Sequence, residues 1–222
     1  MWLYKDSYGI NQRTAIRGKL KELKQIVEDD NYDGILLPYP RKKYLHEYNH
    51  ISCSLHSSTF RDEPTEKQLC CCWNYFNKST SNPDCALCTF PLKRKNVGNF
   101  EIVDYEVPTL YNMKNLGAID WLLKRGDEFI ATEVKPYGSP ETIVRMLAEA
   151  LTYTIGTTYI PAICFFKTDM NGRPTKQLRD YVKYKDDENF LFIKGKTGLK
   201  VLYITFDENT FCIHDEEEEP LE

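Results

Sequence analysis

Two apolar stretches carry charges where charges are costly. Gly117 to Leu123 is apolar on both faces except for Asp120, and Phe129 to Lys135 is apolar except for Glu133 and Lys135. The polar break Lys124-Arg125-Gly126-Asp127 joins them, so the pair reads as a β-hairpin in the middle of a sheet. A charge inside a central strand is tolerated only when it is paired or bound to a metal. Side chains alternate along a strand, so Glu133 and Lys135 share one face. With Arg125-Gly126 as the loop, Asp120 faces Ala131 and Ala118 faces Glu133. That pairing sets both carboxylates on one face across a short diagonal. A one-residue slip would send Asp120 to the other side. Two adjacent carboxylates repel unless a cation or a proton separates them, and hard oxygen ligands suit Mg2+ or Mn2+. Lys135 beside such a metal could stabilise charge on a phosphate or orient a water.

The rest of the chain frames this hairpin as α/β. Gln12 to Asp30 places Ile16, Leu20, Leu23, Ile26 and Val27 at helical spacing. Strands are expected over Phe100–Val107, Ile160–Phe166, Asn189–Ile193 and Leu199–Phe206, with another over Phe211–Ile213. A helix opens at Ser139-Pro140-Glu141, with serine as N-cap, and runs through Arg145, Glu149 and Tyr153. Thr175 to Tyr184 reads as a second helix. The expected divisions are 1–38, an N-terminal helix and strand; 39–99, a Cys/His-rich insert; 100–213, the α/β core; and 214–222, an acidic tail.

Asp120, twelve intervening residues and then Glu133-Val134-Lys135, with Gly117-Ala118-Ile119 before and a helix after, resembles the PD-(D/E)xK nuclease core. Ile119 stands where the name-giving pattern has proline. The likeness covers roughly residues 100 to 167, with Gln12–Asp30 as a leading helix. It implies a restriction-endonuclease-like αβββαβ core with a mixed central sheet flanked by helices. It also implies a Mg2+- or Mn2+-dependent nuclease acting on DNA. Carried over, Asp120 and Glu133 bind the metal, Val134 offers its backbone carbonyl and Lys135 assists the nucleophilic water. A further acid from the first helix would be Glu22 or Glu28. A supporting polar group on the later helix would be Glu149 or Tyr153. The bland reading of Glu149 is one rung of a surface salt-bridge ladder with Glu141 and Arg145.

Of eight cysteines, six fall in one segment: Cys53, Cys70, Cys71, Cys72, Cys85 and Cys88. The N-terminus has no basic region followed by an apolar run, and no stretch is long enough to span a membrane. A cytoplasmic setting with reduced thiols is therefore expected, and no membrane partner. Cys85-Ala86-Leu87-Cys88 has the spacing of a metal knuckle, and Cys53-Ser54-Leu55-His56 would complete a four-ligand zinc set. One or two of Cys70, Cys71 and Cys72 form a rival set, and spacing does not decide between them. Cys164 and Cys212 sit in apolar, strand-like stretches and read as core thiols. The net charge is -4, from 29 Lys+Arg and 33 Asp+Glu, with much of the excess acid in Asp215 to Glu219. This argues against a generally basic nucleic-acid binder but not against a local basic groove. The acidic run reads as a disordered, solubilising end that could also guard the groove. The alternative to an enzyme is a zinc-containing nucleic-acid or protein binding module on a nuclease-like scaffold. A homodimer is compatible with either.

Overall fold

A computed structural model describes residues 13–28, 66, 70, 94–96, 98–108, 118–154, 157–207 and 210–221. The chain is mixed α/β. In order, its elements are α1 (Arg13–Glu28), β1 (Arg94–Asn96), β2 (Glu101–Pro108), β3 (Ala118–Arg125), β4 (Glu128–Lys135), α2 (Ile143–Thr154), β5 (Ile160–Phe166), α3 (Lys176–Tyr184), α4 (Glu188–Thr197), β6 (Lys200–Asp207) and β7 (Thr210–Asp215). The strands form a seven-stranded sheet in the order β1-β7-β6-β5-β4-β3-β2. β2, β3 and β4 make an antiparallel meander, β4, β5 and β6 run parallel, and β7 returns antiparallel to β6. The parallel steps need crossovers, and α2 and then α3 with α4 supply them.

Both faces of the sheet are covered. One buries Trp121, Ile130, Val134, Cys164, Phe166, Leu202 and Ile204. The other buries Ile163, Phe165, Val201 and Tyr203 against all four helices. Every residue of α2 is buried, so this helix lies in the core between its neighbours. Leu20, Leu23 and Val27 seat α1 on the same helical layer. No helix is long and apolar enough to cross a membrane among the described residues.

Four local expectations are corrected. The β3–β4 loop is Gly126-Asp127, because Arg125 stays in the strand opposite Glu128 and Gly126 takes φ 59 at the first loop position. Leu122, not Asp120, therefore faces Ala131. The shift is two pairing positions, so the face of every side chain is kept. Second, α2 begins at Ile143, and Thr142 accepts the Arg145 amide as its cap; Ser139 and Pro140 lie in the preceding turn. Third, Asn189–Ile193 is helical. Asp187 caps α4 and Gly198 closes it at φ 68, and only Phe190 and Ile193 of the apolar run are buried. Fourth, the core does not begin at residue 100, since Arg94–Asn96 adds an edge strand to the sheet.

The acidic run is folded as well. His214 and Asp215 complete β7, and residues 216–219 turn back onto the sheet. Asp215 and Glu218 pair with Arg125 (2.8 and 3.1 Å), Glu216 with Lys194 (3.2 Å), and Glu217 with Lys200 (2.5 Å). Glu219 reaches His214 (2.6 Å), and Leu221 is buried. Arg125 ends β3 opposite the first residue of β4, and Lys200 begins β6, which is the end of the sheet opposite Lys135. The run therefore does not guard the carboxylates of the hairpin.

Candidate metal centre

The site forms where β4 ends. Ile130 and Val134 point into the apolar core, and alternation turns Glu133 and Lys135 to the helical face beneath α2. The β3–β4 ladder stops at Trp121↔Thr132, one pair short of Asp120. In place of the next rung, Asp120 Oδ2 accepts the Val134 amide (2.8 Å). The same bond holds the two strand ends together and aims the carboxylate toward Glu133. Of Val134, the structure brings the amide to the site by this bond.

Lys135 is almost wholly buried and lies among four carboxylates. It pairs with Glu133, with Glu66 (2.5 Å), with Glu141 (3.2 Å) and with Glu149 (3.5 Å). On α2, Arg145 holds Glu141 through Nε (3.1 Å) and Glu149 through Nη2 (2.7 Å). The expected i, i+4 ladder is real, but it is buried and faces Lys135 instead of solvent. Tyr153, one turn beyond Glu149, is buried beside the same carboxylates.

Among the described residues, carboxylate oxygens of Glu66, Asp120 and Glu133 lie within 4.8 Å of one another. Glu133, Glu141 and Glu149 form a second such group. The two groups differ in what balances them. Among the described residues, the second holds Arg145 and Lys135, whereas the first has Lys135 as its cation. Glu133 Oε2, like Glu141 Oε2 and Glu149 Oε2, is buried with no hydrogen-bond donor among the described residues, though Tyr153 and Glu149 lie against the Glu133 carboxyl. An unpaired buried carboxylate oxygen costs several kcal/mol, on the order of the effective penalty for a buried ion. A hard divalent cation fits that donor set, which is all carboxylate oxygen, without thiol or imidazole.

The electrostatics follow from this crowding. Burial, then the neighbouring Glu66 charge, pushes Asp120 well above the usual carboxylate range, against the pull of Lys135 and the Val134 amide. Burial and Asp120 do the same to Glu133. Glu66 is raised by burial and held back by Lys135; 39% of its side chain meets solvent, which tempers the effect. Burial alone would raise Glu149, but the adjoining Glu133 carboxyl, Lys135 and Arg145 together bring it below its ordinary value. Burial likewise works against the charge on Lys135, and Glu133, Glu149, Glu66 and Asp120 outweigh it and keep the ammonium protonated.

The sequence expectations divide accordingly. Asp120, Glu133, Lys135 and Glu149 come together. Glu22 and Glu28 do not: the apolar stripe of α1 faces the core, leaving Glu28 exposed and Glu22 paired with Lys19 (2.6 Å). The additional acid is Glu66, which lies in a stretch with no sustained periodicity and shows no local signal in the sequence. Cys53, His56, Cys71, Cys72, Cys85 and Cys88 lie outside the described residues. Cys70 is in the apolar core, with its carbonyl accepting from Trp121 Nε1 (3.4 Å). Burial, followed by the Asp120 and Glu66 charges, raises its thiol well above the ordinary value. That setting is the one of a buried core thiol. Cys164 is buried and Cys212 half-buried, both as free thiols.

Comparison with protein-family models, with curated proteins and with solved structures finds no match for this chain.

Proposed function

We propose that the protein is a metal-dependent nuclease of the PD-(D/E)xK type that hydrolyses phosphodiester bonds, with DNA as substrate. The observation that carries this reading is the convergence of Glu66, Asp120 and Glu133 beside Lys135, with a buried Glu133 oxygen left unpartnered. A divalent cation, Mg2+ or Mn2+, bound to those oxygens would polarise a phosphoryl group and acidify a water. Asp120 and Glu133 are held by the sheet and supply fixed ligands, while Glu66 closes the set from another part of the chain. Lys135 remains charged and stands ready to orient the attacking water or offset charge developing on phosphate. Glu149 positions Lys135 (3.5 Å), and Arg145 in turn fixes Glu149 (2.7 Å), so the ammonium is held against the carboxylate cluster. The cysteines and histidine of the proposed zinc set belong to a separate, structural role in this reading.

The test is cleavage of plasmid and linear DNA with and without Mg2+. Asp120→Ala and Lys135→Ala should each lose about a thousandfold in rate, the loss seen when a group stabilising transition-state charge is removed. Cleavage at the parental rate by either variant sinks the assignment.

A further inference from the structure

The end of the sheet that carries Lys135 is edged by an unbalanced run of cations. Residues 167–183 hold five basic side chains, Lys167, Arg173, Lys176, Arg179 and Lys183, against two acids, Asp169 and Asp180, in a chain that is net acidic. β5 runs parallel to β4 with Phe165 opposite Lys135, so the chain leaves β5 at the same end as the metal centre. Lys167 continues that line, its amide donating to the Ile204 carbonyl (2.8 Å). The start of α3 is then stapled to the loop after β4. Gln177 Nε2 donates to the carbonyls of Ser139 (3.1 Å) and Glu141 (2.7 Å), and the Lys176 ammonium donates to that of Pro140. Glu141 is itself 3.2 Å from Lys135. Two links therefore join α3 to the site.

The cations are arranged, and Arg173, Arg179 and Lys183 are exposed. Lys176, Arg179 and Lys183 fall at i, i+3 and i+7, one face of α3, while Leu178, Tyr181 and Tyr184 bury the other. Of the two acids, one is taken up by backbone amides and one sits among the cations. Asp169 Oδ1 accepts the amides of Asn171 (2.8 Å) and Arg173 (2.9 Å); Asp180 lies among Lys176, Lys183 and Arg179 and also meets the amide of Ile143, so it offsets one of the charges on α3. Arg173, Arg179 and Lys183 are exposed and form no ion pair among the described residues; Arg179 spends one N–H on the Pro174 carbonyl (2.5 Å). From Lys176 to Lys183 the helix rises about 10 Å, roughly three steps along one strand of a B-form duplex.

We infer that residues 167–183 form a phosphate-gripping rim, which holds the backbone of a nucleic-acid strand as it passes across the metal centre. This rests on the nuclease reading for its substrate and on the geometry above for its place. Such contacts position the strand without reading bases, so binding through the rim is sequence-independent and steeply salt-dependent.

The experiment measures binding of a fluorescein-labelled DNA duplex by anisotropy in EDTA over a range of KCl, with Mg2+-dependent cleavage by the same preparations alongside. The variants are Arg173→Glu with Lys183→Glu, and Arg173→Gln with Lys183→Gln, all at exposed positions; circular dichroism checks their folding. The charge-reversed pair should weaken binding at least tenfold, at about 0.1 M salt. The neutralised pair should weaken it less, and both should flatten the plot of log K against log salt by about two. Parental affinity and slope in both variants overturn the rim, even where the parent cleaves DNA. A parent that fails to bind DNA also overturns it. A parent that binds with a rim-dependent slope but never cleaves supports the rim and sinks the catalytic reading alone.

Discussion

The two ends of the sheet hold similar numbers of carboxylates and treat them in opposite ways. At the start of β4 and β6, the acids from Asp215 to Glu219 each reach a basic side chain, and most remain partly in solvent. At the end of β4, Asp120, Glu133, Glu141 and Glu149 with Glu66 share Lys135 and Arg145, and among the described residues one buried oxygen each of Glu133, Glu141 and Glu149 has no hydrogen-bond donor. A carboxylate matched to its own cation near the surface is explained by folding alone. A surplus of carboxylates in a low-dielectric site destabilises the fold and calls for a ligand to offset it. The number of acidic residues is therefore uninformative, and how each is balanced is what separates structure from chemistry.

The comparison breaks first at Glu66. Glu66→Ala should leave the fold intact, because the side chain is partly exposed, and weaken Mn2+ binding roughly tenfold to a hundredfold by calorimetry. Unchanged affinity would confine the cation to Asp120 and Glu133. At the far end, Arg125→Ala strips the main partner from the buried Asp215 and leaves Lys200 at 3.9 Å. It should cost about 2 kcal/mol in urea unfolding, discounted because Arg125 is itself partly exposed, with no effect on cleavage. Loss of activity without loss of stability there would contradict the division between the ends.

A third test uses pH. Asp120 and Glu133 have folded-state pKa values above their unfolded ones, so the folded chain binds more protons. Metal-free stability should then fall as pH rises from about 4 through the raised values, by up to about 1.4 kcal/mol per unit for each proton involved. Glu149, shifted downward, opposes this weakly at the acid end. Mg2+ should raise the melting temperature more at pH 8 than at pH 5, and Glu133→Gln should flatten both trends. The smallest effect belongs to Glu217→Gln. Its pairing with Lys200 is solvent-screened, so a loss of about 0.5 kcal/mol is expected; a loss several times larger would mean the acidic turn carries more of the fold than its exposure implies.

Much of the site was legible because the hairpin breaks a rule. Charges at Asp120, Glu133 and Lys135 inside apolar strands need a reason, and the period of two put them on one face even though the turn was misplaced by one residue. Local chemistry also located β5 and α3 closely, and Thr175, where the second helix was expected to begin, is the cap of α3. The failures share a cause. The Phe190-Leu191-Phe192-Ile193 run looked like a strand until its caps, Asp187 and Gly198, were weighed. Glu66 joins the site across 69 residues from Lys135, and the acidic turn finds Arg125 some 90 residues away. No pattern within a window of the chain reports such pairings, so acids that looked solvated or incidental were placed only by the tertiary fold.

Asp120 closes the β3–β4 ladder by taking a backbone amide, and this ties the proposed metal site to folding through one side chain. The amide asks only for an acceptor oxygen; a metal asks for a negative one. A descendant of this chain that gave up chemistry would be free to lose Lys135 or Glu66, but at position 120 it would be steered toward asparagine over alanine. Relatives with Asn at that place would mark lineages where the scaffold outlived the proposed activity.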